Sequence, residues 1–203
     1  MSDHYYSKHP QSKNITETKH VMIQNEAFTF TTGTGVFAKK GIDFGTRLLI
    51  ENFRLPEIEG DLLDLGCGYG PIGITLARFY NERTIMMVDV NERAVSLAQL
   101  NAEQNDVSNV EIKQSDGFQN VINKRFAAIV TNPPIRAGKK LIYHLFKKSI
   151  TYLPPNGELW IVIQKKQGAP SAITFLSSIF ELVETVVRKK GYYVIRAINK
   201  NGN

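Results

Sequence analysis

Asp61-Leu-Leu-Asp-Leu-Gly-Cys-Gly-Tyr-Gly70 is a short apolar run that ends in a turn with glycine at every second position. The run 61–65 reads as a strand, and a helical stretch over 72–80 follows it. Glycines at 66, 68 and 70 remove side chains where a strand bends sharply into a helix, so backbone can approach a ligand closely. A dinucleotide site would look similar, but the spacing here is G-x-G-x-G, not the G-x-G-x-x-G of the pyrophosphate fingerprint. Asp64 also lies within the turn, and a buried carboxylate suits an ammonium group better than a phosphate. Helix–strand packing alone would account for the same glycines.

Working outward, the pattern beyond Gly60 alternates short β-rich runs with helical ones. Strands are predicted over 61–65, 84–89, 110–114, 127–131 and 158–163, and helices over 72–80, 92–104, 139–153 and 171–180. This alternation argues an α/β fold, a parallel sheet with helices on both faces. The tail breaks the rule. Leu182-Val-Glu-Thr-Val-Val-Arg188 and Tyr192-Tyr-Val-Ile-Arg-Ala-Ile198, joined by Lys189-Lys190-Gly191, read as an antiparallel β-hairpin.

Before Gly60, residues 1–19 form a polar arm with two tyrosines and no period, expected to be loose or to fold over the body. His20-Val-Met-Ile-Gln24 and Ala27-Phe-Thr-Phe-Thr-Thr32 alternate like strands, with Asn25-Glu26 as their turn. Gly33-Thr-Gly-Val-Phe-Ala-Lys-Lys-Gly-Ile-Asp43 is a glycine-broken loop. Asp43 is placed to N-cap a helix running through Leu48 and Leu49 to Phe53, closed by Pro56. Residues 20–59 are thus expected to be a hairpin-and-helix lead-in to a core over 60–203, the two forming one domain.

The chain has 203 residues, 42% of them hydrophobic, enough for one sizeable core. A net charge of +6 favours an anionic partner, most simply nucleic acid. The single cysteine, Cys67, excludes an internal disulfide and a cysteine-based zinc site, and it fits a reducing cytoplasm. No apolar segment follows the opening residues and none reaches membrane-spanning length, so a soluble, cytoplasmic protein without a membrane partner is expected.

Three further polar groups stand where strands end. Asp89 closes the second core strand, the position from which a carboxylate reaches ribose hydroxyls, though it would equally cap the helix starting near Asn91. Asp116, in Gln114-Ser-Asp-Gly117, is placed to accept from an adenine amino group, or to form an ordinary Asp-Gly turn. Asn132-Pro-Pro-Ile135 stops the run 126–131, because proline lacks the N–H a strand needs and holds the residue before it extended. The Asn amide and nearby carbonyls are thereby aimed along the sheet's C-terminal edge, where open α/β sheets bind ligands. A rigid amide and carbonyl there suit a planar nitrogen group. Four polar groups on one edge argue a site more strongly than any one of them.

Asp64-Leu-Gly-Cys-Gly-Tyr-Gly-Pro-Ile-Gly73, Val88-Asp-Val-Asn91 and Asn132-Pro-Pro-Ile135 together resemble the class I S-adenosylmethionine-dependent methyltransferases. The last corresponds in position to the Asn-Pro-Pro-aromatic signature of enzymes that methylate exocyclic or amide nitrogens. Gly35-Val-Phe-Ala-Lys-Lys-Gly-Ile-Asp-Phe-Gly-Thr46 resembles the lead-in of the small methyltransferase domain family, which includes ribosomal RNA guanine-N2 methyltransferases. The resemblance implies a Rossmann-like, seven-stranded, mostly parallel sheet with an antiparallel C-terminal hairpin. It implies S-adenosyl-L-methionine against Gly66, Cys67, Gly68 and Gly70, with Asp64 near its amino-acid end. Asp89 and Val90 would lie at the ribose, Asp116 and Gly117 by the adenine, and Phe37 and Asp43 over the cofactor. Asn132 and the Pro133 carbonyl, with Pro134 and Ile135 completing the motif, would receive the target amine. No metal is implied.

The chain departs from the pattern at Ile135, where many relatives carry an aromatic ring able to stack on the target base. That contact is commonly worth about 1–3 kcal/mol. An aliphatic face, or another aromatic such as Phe30 or Phe37, is the substitute to look for. Arg136, Lys139 and Lys140 follow in a basic turn suited to phosphates or simply to solvent. The leading expectation is methylation of guanine N2 in ribosomal RNA, free or in a ribosomal particle. Methylation of a protein glutamine and a non-catalytic RNA-binding role on the same fold are the alternatives.

Overall fold

The computed structural model describes residues 15–36 and 41–200, and of Arg136 the backbone only. Residues 1–14 of the expected arm, and Phe37, lie outside the described residues. Five strands run parallel: β3 (Asp61–Leu65), β4 (Ile85–Asp89), β5 (Val110–Gln114), β6 (Phe126–Thr131) and β7 (Gly157–Gln164). The hairpin of β8 (Leu182–Lys189) and β9 (Tyr192–Asn199) completes a seven-stranded sheet of order β5-β4-β3-β6-β7-β9-β8, with β9 antiparallel to β7. This is the mostly parallel, Rossmann-like sheet with an antiparallel C-terminal hairpin that the resemblance implied.

Strand β6 is buried along its whole length, and β3 and β4 nearly so, which is why they read as continuous apolar runs. Their side chains still alternate between two cores. Leu62, Met87, Ala128 and Trp160 join the face covered by α1 (Phe44–Asn52), α2 (Pro71–Phe79) and α3 (Glu92–Gln104). Leu63, Met86, Ile129 and Ile161 join the face covered by α4 (Lys139–Ser149) and α5 (Ala169–Ser177). The helix expected over 139–153 ends at Ser149, and a 3-10 turn, Ile150–Tyr152, carries the chain to the buried Leu153.

Ahead of this sheet, β1 (Thr16–Ile23) and β2 (Glu26–Gly33) form a separate hairpin. Its turn is Gln24-Asn25, both at positive φ (46° and 70°), because Ile23 pairs with Glu26 and leaves two loop residues. The turn thus falls one residue before the expected Asn25-Glu26. The first strand also begins at Thr16, inside the stretch read as an arm.

The hairpin is held by two asparagines one turn apart, Asn101 on α3 and Asn105 at its C-cap. Asn101 Oδ1 accepts from Thr31 N–H at 2.7 Å and its Nδ2 donates to Thr31 C=O at 2.8 Å. Asn105 does the same for Thr29, at 2.9 and 2.7 Å. The side chains thus satisfy the free backbone edge of β2 where no further strand pairs with it.

In chain order, β3 is followed by β4 and β5 on one side and by β6 on the other. The C-terminal ends of β3 and β6 therefore flank the switch point, the crevice where such sheets bind ligands.

Candidate active site

A cleft of about 250 Å³ opens at that crevice. Its floor is the glycine turn. Gly66 and Cys67 N–H both donate to Val88 C=O, at 2.8 and 2.9 Å, which ties the turn to β4. Gly68 N–H donates to Asp89 Oδ2 at 2.8 Å, and Asn91 N–H to Asp89 Oδ1 at 2.9 Å. The three glycines divide by role. Gly66 and Gly68 have positive φ and line the cleft, and a Cβ on either would meet no atom within 4 Å. Gly70 does not line it: a Cβ there would sit 2.6 Å from Ile74 Cδ1 and 2.9 Å from Met87 Cε. Its missing side chain serves the packing of α2 on β4.

Asp64 also stands apart from the cleft lining. Its Oδ2 accepts from Gly73 N–H at 2.9 Å, while Oδ1 is buried without a partner among the described residues. Burial, with the neighbouring Asp89 charge adding to it, lifts its pKa to about 7 against the pull of the Gly73 hydrogen bond. Asp89 is likewise pushed up by burial, opposed by the backbone N–H groups it accepts from. Burial, followed by the charges of Asp89 and Asp64, also raises the Cys67 thiol, so Cys67 is a neutral wall residue and not a nucleophile.

The opposite wall comes from the loop after β5 and from α4. Val90, Asp116 and Gly117 line the cleft beside Asp89. Ser115 Oγ shapes this loop, donating to Gly117 C=O at 2.8 Å and accepting from Asn120 N–H at 3.0 Å. Leu141 and Leu145 of α4 supply an apolar side, and a Cβ on Gly117 would sit 2.8 Å from Leu145 Cδ2 and displace that side chain. Neither leucine, nor Thr46 or Val36, was legible as lining from the sequence. Only the i, i+4 spacing of the leucines hinted that they share a face.

The Asn-Pro-Pro segment forms the far end. Thr131 Oγ1 donates to Leu65 C=O at 2.7 Å and locks β6 to β3 just before Asn132. Asn132, Pro133 and Pro134 line the cleft. Asp43 N-caps α1 as expected, its Oδ1 accepting from Gly45 and Thr46 N–H at 2.9 and 3.2 Å. Its Oδ2 accepts from Asn132 Nδ2 at 3.4 Å, and Thr46 Oγ1 accepts from the same nitrogen at 2.9 Å. A carboxylate only accepts, so the amide nitrogen must face it and Oδ1 must face away. The lead-in helix therefore sets which way the Asn132 amide points.

Besides Gly70 and Asp64, four further residues considered for the site lie outside the cleft lining. Ile135 does not line the cleft; half-buried, it joins the apolar cluster beneath α4. Phe30 is a core ring between Phe28 and Tyr69, so it supplies no substitute stacking face. Lys139 and Lys140 are exposed on the first turn of α4, outside the lining, with Lys139 Nζ 5.0 Å over the Tyr143 ring. Among the described residues no cluster of His, Cys, Asp and Glu is arranged to hold a metal, and no helix is long and apolar enough to cross a membrane.

The two open glycines, the carboxylates at the end of β4 and in the loop after β5, and the leucine wall fit S-adenosylmethionine: a cation with a diol and a flat purine. Residues 27–196 match the family model described as methyltransferase small domain. The chain is 58% identical to the uncharacterized YbxB protein of Bacillus subtilis (strain 168), over 97% of this chain and 98% of that one. Among solved structures it is similar to the T. thermophilus 16S rRNA N2 methyltransferase RsmC in complex with AdoMet and guanosine. The TM-score is 0.81 at 25% identity, covering 94% of this chain and 52% of the other, so the chain spans about half of RsmC. The ribosomal protein L11 methylase of Lactobacillus delbrueckii subsp. bulgaricus shares the fold, with a TM-score of 0.66 at 16% identity over 79% of this chain and 81% of that one. The chain belongs to the methyltransferase small domain family and is a methyltransferase that uses S-adenosylmethionine.

Proposed function

We propose that this methyltransferase acts on an exocyclic amine, the N2 group of a guanine in ribosomal RNA, in the cytoplasm. The observation that carries the reading is the Asn132 amide, whose nitrogen is engaged by Thr46 and Asp43 while its oxygen is left to accept. The likeness to RsmC, solved with guanosine, supports guanine as the base, and the net charge of +6 supports a polyanionic substrate.

When bound, S-adenosylmethionine supplies an electrophilic methyl group on a sulfonium that leaves as a neutral thioether. The work left to the chain is alignment and exclusion of water. Asn132 Oδ1 and the Pro133 carbonyl would accept the two N–H bonds of the amine and turn its lone pair toward the methyl carbon. Held this way, the nitrogen would be placed to take up the methyl group and afterwards release a proton to water. No strong base is required beforehand. Asp64, although poised near neutrality, faces Gly73 and is not assigned that role. Asp89 and Asp116 would receive the ribose hydroxyls and the adenine amine, with Leu141 and Leu145 against the purine.

Transfer of tritiated methyl groups to unmethylated ribosomal RNA and ribosomal particles tests this. Incorporation should map to a guanine. Asn132→Ala should lower turnover about 10²- to 10³-fold while cofactor affinity measured by calorimetry stays nearly constant. Incorporation into protein and not RNA would redirect the reading to a glutamine amide, and no incorporation into any RNA would refute it.

A further inference from the structure

We propose that a second, basic groove at the same sheet edge holds the phosphates of the RNA strand flanking the target base; this rests on the RNA reading above. The groove, of about 580 Å³, is walled by Lys165 and Lys166 after β7, Pro170 at the start of α5, and Lys190 and Gly191 of the β8–β9 turn. The fold itself gathers these residues. Because β9 runs antiparallel beside β7, Gln164 pairs with Tyr192, and Lys165 N–H donates to Gly191 C=O at 2.8 Å.

All three lysines are exposed, and none forms an ion pair with a described residue. Uncompensated cations around one depression repel one another unless an anion joins them. The sheet edge is divided by charge. On one half, β4 ends at Asp89 and the loop after β5 carries Asp116; both line the cofactor cleft. On the other half, segments 135–141, 164–171 and 188–192 contain lysines and arginines but no acidic residue. Asp43 beside Asn132 apart, these segments therefore offer only cations to a negative strand.

The groove is connected to the acceptor end of the cleft. Lys190 Nζ lies 5.0 Å over the Phe44 ring, and Phe44 meets Tyr192 with ring centroids 5.5 Å apart. The residue before Phe44 is Asp43, which holds Asn132. A strip thus runs from Asn132 past Phe44 to the lysines. A base presented to Asn132 must leave its stack, which a single strand permits at least cost, and its neighbouring phosphates would then follow the strip.

Lys165→Glu/Lys166→Glu/Lys190→Glu changes only exposed turn positions. Binding of a fluorescein-labelled, mixed-sequence single-stranded RNA is read by anisotropy over a salt series, with cofactor calorimetry reporting the fold. Loss of three phosphate contacts should weaken RNA binding about tenfold or more and lower the slope of log K against log salt by about 2, with cofactor affinity unchanged. Unchanged RNA affinity and slope in the variant overturn the groove and leave the RNA reading standing. Failure of the wild-type protein to bind RNA overturns both, and preference for duplex DNA over RNA overturns the proposed occupant.

Discussion

Asp64→Asn should change how stability depends on pH. In the folded protein this carboxyl is held at about 7, against an ordinary value of 3.8. The native state therefore binds its proton more tightly than the unfolded chain does. Stability from this group is fully present below about pH 4 and is lost as pH rises to about 7, at about 1.4 kcal/mol per pH unit. The whole interval corresponds to about 4 kcal/mol, an upper value for a single buried carboxylate. Asparagine keeps an acceptor for Gly73 N–H but cannot ionise. Its Nδ2 replaces the unpartnered Oδ1 and adds a pH-independent cost of about 1–3 kcal/mol. Urea denaturation of both proteins at pH 4.5, 6 and 8 should show the variant gaining on the wild type by several kcal/mol across the range. Asp89, also pushed up by burial, leaves a residual slope in the variant, so the difference between the two proteins is the quantity to read. A difference that stays constant with pH would show that Asp64 is not held protonated near neutrality, and the reasoning would fail.

Thr46→Val keeps the shape of the side chain but removes the hydroxyl that accepts from Asn132 Nδ2. With about 1 kcal/mol of orientational preference gone, methyl transfer should slow about fivefold, cofactor affinity should hold, and Thr46→Ser should recover the rate. Gly68→Ala places a Cβ in the open cleft. Calorimetry should show cofactor affinity falling about tenfold or more, with a stability loss near the roughly 1–2 kcal/mol of left-handed strain. Gly70→Ala should do the reverse in emphasis: its Cβ collides with Ile74 and Met87, and thermal denaturation should report a loss of about 3 kcal/mol. Asn101→Ala strips the buried Thr31 N–H and C=O of their partner. Stability should fall by about 3 kcal/mol, with hydrogen exchange at Thr31 rising before that of β3.

The sheet was legible because its central strands are buried on both faces and must read as unbroken apolar runs, while turns and helices need polar residues and glycine. The same logic exposed the strand ends, where Asp89, Asp116 and Asn132 interrupt the apolar pattern. Spacing treated Gly66, Gly68 and Gly70 alike, yet two face the cleft and one faces Met87 and Ile74, neither adjacent in the chain. It grouped Asp64 with the ligand-facing acids, and the strand pleat instead turned its carboxylate toward Gly73 beneath the helix start. It also read Ile135 as a weakened base contact, although that half-buried side chain packs against the apolar cluster beneath α4.

By itself, the sequence determined the α/β sheet with its C-terminal hairpin, the glycine turn, the Asp43 cap and the edge on which the polar groups gather. These follow from periodicity, proline and glycine stereochemistry and capping, all of which act within a few residues. Only the tertiary structure decided which glycines are open, which carboxylate is buried without a full set of partners, and which way the Asn132 amide faces. It also brought Lys165, Lys166 and Lys190 around one groove. Those outcomes depend on contacts between segments far apart in the chain, Asp43 with Asn132 and Lys165 with Gly191, and no local pattern encodes such distances.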